Sequence, residues 1–461
     1  VTDWSGHPVI PRQGLPRVVR FFRSGADQPR LSDAAAIQRR YRALRRLTFV
    51  GVTIGYGFFY TTRLSLAVAK KPLIDAGVVS ADQLGVIGSA LLLTYALGKL
   101  GNGFLADRAH VGRLMSAGLI ASALVNLAFG FSSAFAVLVL LWALNGWAQS
   151  LGATPSVVNL SHWFSHRERG TRYSIWSIAH SLGEGMTYLA TAALVSAFGW
   201  RFGFWGPGLI CIGVGLVVAR VVLDRPPVYG LPPIAEYSGD LSTGATAADP
   251  DVAAQQWQVI KNPAVWLLGL ASAAFYVARY GVNSWLLLFL QEGKGYDLVA
   301  AGLAMTLLAL SGLVGTVLAG TISDALFGAR RGPVLYCYGA LLIGSLLALY
   351  FIPRGAIWLD RAALAVCGFA IGGMLVFLGG LAVVDICPKR ATGAAMGMIG
   401  LFAYLGAAVQ DVVSGYLIER TRFVVDGVVS HQFGAVFVFW IAAAVLSLGL
   451  AAVVWFAKPV E

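Results

Sequence analysis

The stretch LTFVGVTIGYGFFYTTRLSLAVA, residues 47–69, carries a single charge, Arg63. It is long enough to cross the roughly 30 Å hydrocarbon core of a bilayer as a helix. A guanidinium inside such a helix costs about 2.5–3.5 kcal/mol on insertion scales and cannot shed its proton to escape. Arg63 closes the pentapeptide Phe59-Tyr60-Thr61-Thr62-Arg63, and Phe275-Tyr276-Val277-Ala278-Arg279 closes with a second arginine 216 residues later. Two such residues at matched places predict a paired anion site facing the interior of a helical bundle.

The surrounding composition fits. Of 461 residues, 57% are hydrophobic and only 12% charged, with a mean hydropathy of +0.73, against about a quarter charged in soluble domains. Ten-residue alternating segments of the kind a membrane β-barrel needs are missing. The pattern predicts an all-α polytopic membrane protein with twelve spans, at about 47–69, 83–106, 113–131, 134–159, 172–198, 203–222, 264–291, 298–320, 333–352, 358–385, 392–418 and 433–456. The first 46 residues carry ten arginines before any apolar run, the wrong order for a cleaved signal.

Basic residues orient the chain. With the N-terminus inside, inner segments hold about 22 of the 34 Lys and Arg residues and outer loops about eight. Both termini are therefore expected in the cytoplasm, in a bacterial inner membrane. The net charge of +12 reads as this asymmetry, and nucleic acid is not expected as a partner because no groove-sized basic patch forms. The four cysteines lack paired spacing, so neither a disulfide framework nor a metal site is expected. No cofactor is expected, and no phosphate-cradling Gly-rich loop is present, which removes ATP as driving force and enzymatic chemistry with it.

Residues 223–263 are rich in Pro, Gly, Ser, Thr and Asp. They divide a basic tail (1–46) and a first six-span half (47–222) from a second half (264–456) and a short C-terminus (457–461). An internal repeat supports this. Gly103, Asp107, Arg108 and Arg113 close span 2, and Gly320 and Asp324 close span 8. Arg63 to Asp107 is 44 residues and Arg279 to Asp324 is 45.

Other polar residues lie within the spans. Lys99 sits in span 2 nearer its cytoplasmic end. His180 and Glu184 share a helix face in span 5, one turn apart. Asp411 lies in span 11. Two carboxylates at membrane depth need partners, and the arginines are the expected ones. Tyr56, Tyr60, Tyr95, Tyr276 and Tyr404 are mid-span. Tyr60 and Tyr276 stand three residues before the arginines, so phenol and guanidinium can converge on one ligand. Trp176 and Trp285 read as packing residues, and Lys70 with Lys71 marks the outer end of span 1.

These residues resemble the organophosphate:phosphate antiporter family of the major facilitator superfamily. The likeness runs from about residue 41 to 455. It includes the Gly103-x-x-x-Asp107-Arg108 loop, Gly55-Tyr56 through Arg63, Thr94-Tyr95 with Lys99, Trp176 with Ala179-His180, Arg279 to Trp285, and Gly400 to Gly406. The resemblance implies two pseudo-symmetric six-helix halves and alternating access. It also implies Arg63 and Arg279 on a phosphoryl group, with Lys99, His180 and the tyrosines lining the cavity. The expected function is exchange of a sugar phosphate or glycerol phosphate for inorganic phosphate by a monomer in the lipid bilayer.

Departures from the family pattern are specific. The lysine usual after the first arginine is Leu64, and the usual span-8 glutamate is Ala309. Glu184 stands where small residues are usual. Charge balance of the empty site is thereby assigned to Glu184 or Asp411. Two alternatives follow: a proton-coupled or zwitterionic-phosphate transporter of this fold, or a non-transporting sugar-phosphate sensor with a sensor-kinase partner.

Overall fold

A break in the first span sets the geometry of everything that follows. Asp33 caps helix α1 (Ala34–Thr61), its carboxylate accepting from the Ala35 and Ala36 amides at 2.9 and 3.2 Å. The helix stops at Thr62, and α2 (Ser65–Asp75) resumes after a turn that contains Arg63. Span 1 is thus two helices, begins thirteen residues earlier than the apolar run, and ends six residues later. The sequence gives no Gly or Pro at this break; it is held by side chains from other helices, described below.

The computed structural model describes residues 21–106, 109–239, 257–327, 331–381, 392–425 and 427–455. The remaining spans follow in order: α3 (Ala81–Ala106), α4 (Val111–Phe131), α5 (Phe135–Trp163), α6 (His166–Phe198) and α7 (Phe202–Val221). After the connecting segment come α8 (Pro263–Glu292), α9 (Leu298–Phe327), α10 (Arg331–Phe351), α11 (Ile357–Val376), α12 (Thr392–Glu419) and α13 (Gly434–Trp455). Five residues of π-helix, Phe377–Leu381, prolong α11. Ten of the described helices are long and apolar enough to cross a bilayer. The broken α1–α2 pair and the more polar α6 complete twelve crossings. A small hairpin, β1 (Phe423–Val425) with β2 (Val428–Ser430), joins α12 to α13, Val424 opposite Val429.

Twelve crossings bring both ends and the segment between spans 6 and 7 out on one side, here the linker face; the other is the far face. The two halves meet along α3 against α12 and α6 against α9. The main core cluster crosses between them, taking Leu66, Leu73, Ile87, Trp142 and Tyr188 from the first half and Phe275, Trp285, Leu308 and Trp440 from the second. Toward the linker face each half has its own cluster, around Val52, Phe59 and Trp163 in one and Val265, Leu268 and Ile399 in the other. Hydrogen bonds between halves follow suit among the described residues. Ala81 N donates to Glu419 at 2.9 Å, Tyr188 Oη to Asn283 O at 2.8 Å and Thr306 Oγ1 to Gly185 O at 2.9 Å, all toward the far face. The molecule is closed at that end.

The linker and tail, expected as polar loops, are ordered where described. Asp224 accepts from Ser24 Oγ (2.8 Å) and Gly25 N (2.9 Å), and Arg225 pairs with Asp27 at 2.7 Å. Phe21 O accepts from Arg113 and Phe22 O from the His110 amide. Residues 21–33 thus strap the linker to the start of α4. Burial pushes the His110 imidazole below its ordinary range, the Asp224 carboxylate opposing; its Nδ1 caps α4 at the Arg113 amide.

Candidate functional site

Five polar side chains buried among apolar helices hold the break in span 1. Asn126 of α4 and Asn145 of α5 both donate to Thr62 O at 2.9 Å, and Gln149 donates to Phe59 O at 2.9 Å. Ser122 and the Thr62 hydroxyl link these amides at 2.6–3.0 Å. The carbonyls released where the helix stops are thereby satisfied away from water, as non-helical backbone at membrane depth requires. The expectation of a continuous helix through Arg63 is corrected by this network.

Freed from the helix, Arg63 crosses to the other half. Its Nη2 donates to Tyr280 Oη at 3.0 Å, and its guanidinium lies 4.5, 5.8 and 5.9 Å from the Tyr95, Tyr60 and Tyr404 rings. Arg279 crosses the opposite way: its Nη2 lies 3.0 Å from His180 Nε2 and its guanidinium 5.3 Å from both the Tyr276 and Tyr280 rings. Both arginines are buried, and neither forms an ion pair with a described carboxylate. The Arg279 Nε–H is buried without a protein acceptor. Tyr56 reaches the same group through the Tyr60 hydroxyl (3.2 Å) and stacks on Trp176. Lys99, half-buried, closes the linker side with its ammonium 5.4 Å from the Tyr404 ring and 5.9 Å from Tyr95.

Glu184 stands beside this ring. Its Oε1 lies 3.4 Å from His180 Nε2 and accepts from Asn283 Nδ2 at 3.2 Å. Glu184, His180, Arg279 and Ala309 line one cavity of about 30 Å³. The acid on span 5 and the position where the resemblance expected an acid on span 8 therefore open on the same space.

Asp411 does not pair with the arginines, which corrects the sequence expectation. Its Oδ1 accepts from Ser284 Oγ (2.8 Å) and Trp285 Nε1 (2.7 Å) and lies 3.6 Å from Lys70 Nζ. Lys70 is fully buried here and not an outer marker, and Trp285 is more than a packing residue. Of the repeat motif, Gly103 and Gly320 lie in α3 and α9. Asp107 and Arg108, the Asp324 side chain and residues 457–461 lie outside what is described. Cys211 and Cys367 are buried, and Cys337 of α10 is exposed.

Comparison with known proteins gives the fold its family. Residues 52–410 match the model of the Major Facilitator Superfamily. The chain belongs to that superfamily. Among Major Facilitator proteins it is 34% identical over 397 residues to the membrane sensor protein UhpC of Salmonella typhimurium, covering 85% of this chain and 89% of that one. It is likewise 34% identical to a probable hexose phosphate transport protein of Chlamydia pneumoniae, over 84% and 88% of the two chains. The crystal structure of a bacterial homolog of the human lysosomal transporter Spinster superposes with a TM-score of 0.70 at 18% identity, over 90% and 97% of the chains. The last shows the Major Facilitator fold alone.

Several site residues escaped the sequence reading: Tyr280, Asn283, Ser284, Lys70 and the amide network. For α8 a signal was available. Tyr276, Arg279, Tyr280, Asn283 and Ser284 recur at three- and four-residue spacing along an otherwise apolar span, one face of one helix.

Proposed function

We propose that the protein is a secondary active transporter, working by alternating access, that moves a phosphorylated small organic molecule of the sugar phosphate or glycerol phosphate class. Inorganic phosphate is the counter-substrate. The observation that carries this reading is the pair of guanidiniums contributed by opposite halves to one ring of tyrosines. Each is buried without a carboxylate partner among the described residues, and one keeps an N–H with no described partner. Guanidinium forks match phosphate oxygens in bidentate fashion. Arg63, Arg279 and Lys99 against the single carboxylate of Glu184 leave the site about two positive charges in excess, the complement of a phosphate dianion.

Tyr56, Tyr60, Tyr95, Tyr276, Tyr404 and His180 orient that group, and Glu184 balances charge between substrates. Asp411 serves elsewhere. Occupation neutralises the site and lets the halves close; an empty cationic site resists reorientation, which makes exchange obligatory. The linker face is cytoplasmic by its arginine excess, with boundaries at 47–222 and 264–456 for the halves. The protein acts as a monomer in a bacterial inner membrane, without cofactor, metal or nucleic acid.

Proteoliposomes loaded with phosphate test the proposal. Labelled phosphate should exchange in, and Arg63→Lys or Arg279→Lys should abolish the exchange. Unimpaired exchange in either variant would remove the clamp. The likeness to a membrane sensor protein favours a second reading, a sensor working with a kinase partner, and specific phosphate binding without exchange is its signature. Glu184 between His180 and Asn283 favours a third, proton coupling or an amine-bearing phosphate, recognised by dependence of transport on an imposed pH gradient.

A further inference from the structure

Between the arginines and the far face lies a second cavity, of about 40 Å³, and Arg63, Tyr280, Lys70, Ser284 and Asp411 all line it. A single water needs about 10–15 Å³ of such space, so the cavity has room for about three. Lys70 is 1% exposed. Its Nζ donates to Ser284 Oγ at 2.8 Å, lies 3.6 Å from Asp411 Oδ1 and 3.1 Å from the Trp285 ring centroid. An ammonium so enclosed requires an anionic partner.

The partners divide unevenly between the halves. Asp411, Ser284 and Trp285 belong to α12 and α8, in the second half, and are bonded to one another. Lys70, on α2, is alone from the first. Gly85 and Gly88 of α3 leave no room for a Cβ against Asp411, so this is where the halves touch. Alternating access parts them here. Asp411 then keeps both of its own donors, while Lys70 loses Ser284, Asp411 and Trp285 together. What remains is a bare ammonium in a widened cavity that already reaches Arg63.

We infer that Lys70 binds the phosphoryl anion in the far-face-open state, on its way to Arg63, and that Asp411 stands in for that anion while the far face is shut. The inference rests on the transporter reading above. An ammonium holds phosphate as a point charge with three rotatable donors and needs no fixed fork. The same lysine thus exchanges an internal carboxylate for an external phosphate each time the halves part, and bound phosphate opposes closure until it has moved on to the arginines.

The test measures the apparent KM for inorganic phosphate separately on the two faces, in oriented proteoliposomes. Lys70→Gln should raise the far-face KM about tenfold more than the linker-face KM, and Lys70→Arg should largely restore it. If the single variant does not fold because Asp411 is left buried and unpaired, Lys70→Gln with Asp411→Asn carries the same expectation with a neutral pair. Equal shifts on both faces, or none, overturn the role of Lys70 while leaving the transporter reading intact. Absence of exchange in the unmutated protein overturns both.

Discussion

Arg63 Nη2 lies 3.0 Å from Tyr280 Oη, and the Tyr280 ring lies 5.3 Å from the Arg279 guanidinium. One phenol therefore touches both cations, although the cations come from different halves. Its hydroxyl holds Arg63 in place and its ring face is turned to Arg279.

Tyr280→Phe removes only the hydroxyl. A hydrogen bond to a charged group contributes about 1.5–3 kcal/mol, so the KM for phosphate should rise roughly tenfold or more with the ring packing retained. Equilibrium binding and counterflow on the same preparation check this.

Glu184→Gln deletes the carboxylate beside Arg279. Phosphate should bind several-fold more tightly, because the site's positive excess grows, and exchange should turn over more slowly, because a tighter ground state raises the barrier to release. Ala309 opens on the same cavity, so adding Ala309→Glu should reverse both changes. An unchanged KM in Glu184→Gln would show that Glu184 does not balance the site.

Gln149→Leu removes the amide that donates to Phe59 O, the Thr62 hydroxyl and the Ser122 hydroxyl, and leaves Phe59 O only the longer bond from Thr62 Oγ1 at 3.2 Å. Each lost hydrogen bond contributes about 0.5–1.5 kcal/mol, so thermal unfolding in detergent should fall by several degrees. Exchange should weaken as well, since Arg63 follows the break.

The strap of residues 21–33 should loosen in acid. The His110 imidazole is held below its ordinary value of about 6.5, so the folded state takes up its proton less readily than the unfolded chain. Stability from this group is complete above that value and declines as pH falls below it. Protonation also converts its Nδ1 from acceptor to donor and ends the cap at Arg113. Limited proteolysis of the N-terminal segment should accelerate as pH falls below that value, and His110→Asn, which keeps a capping acceptor, should suppress the change.

Ten spans were legible as long apolar runs, and the two arginines because a charge in an apolar stretch is conspicuous. The break at Thr62–Leu64 was not legible. It depends on Asn126, Asn145 and Gln149, whose polarity gives no hint of which carbonyl they will reach. Lys70 misled for a related reason. A lysine at the end of an apolar run is usually at the interface, and only the tertiary position of Asp411, 341 residues later, draws it inside. The contact of Glu184 with His180 was legible because the two stand one helical turn apart, where spacing alone decides contact; its expected arginine partner was not, and Glu184 meets His180 and Asn283 instead.

The core cluster that crosses between the halves has a thermal consequence. Opening the far face wets apolar residues of that cluster, Trp285 beneath Lys70 among them. Exposing apolar surface raises heat capacity by about 0.45 cal/mol/K for each Å², and the attraction that keeps such surfaces together weakens on cooling. The balance between the two orientations therefore follows a curve with temperature. Its direction is set by the difference between the apolar surface wetted at the far face and that buried as the linker face closes, and every helix remains intact throughout.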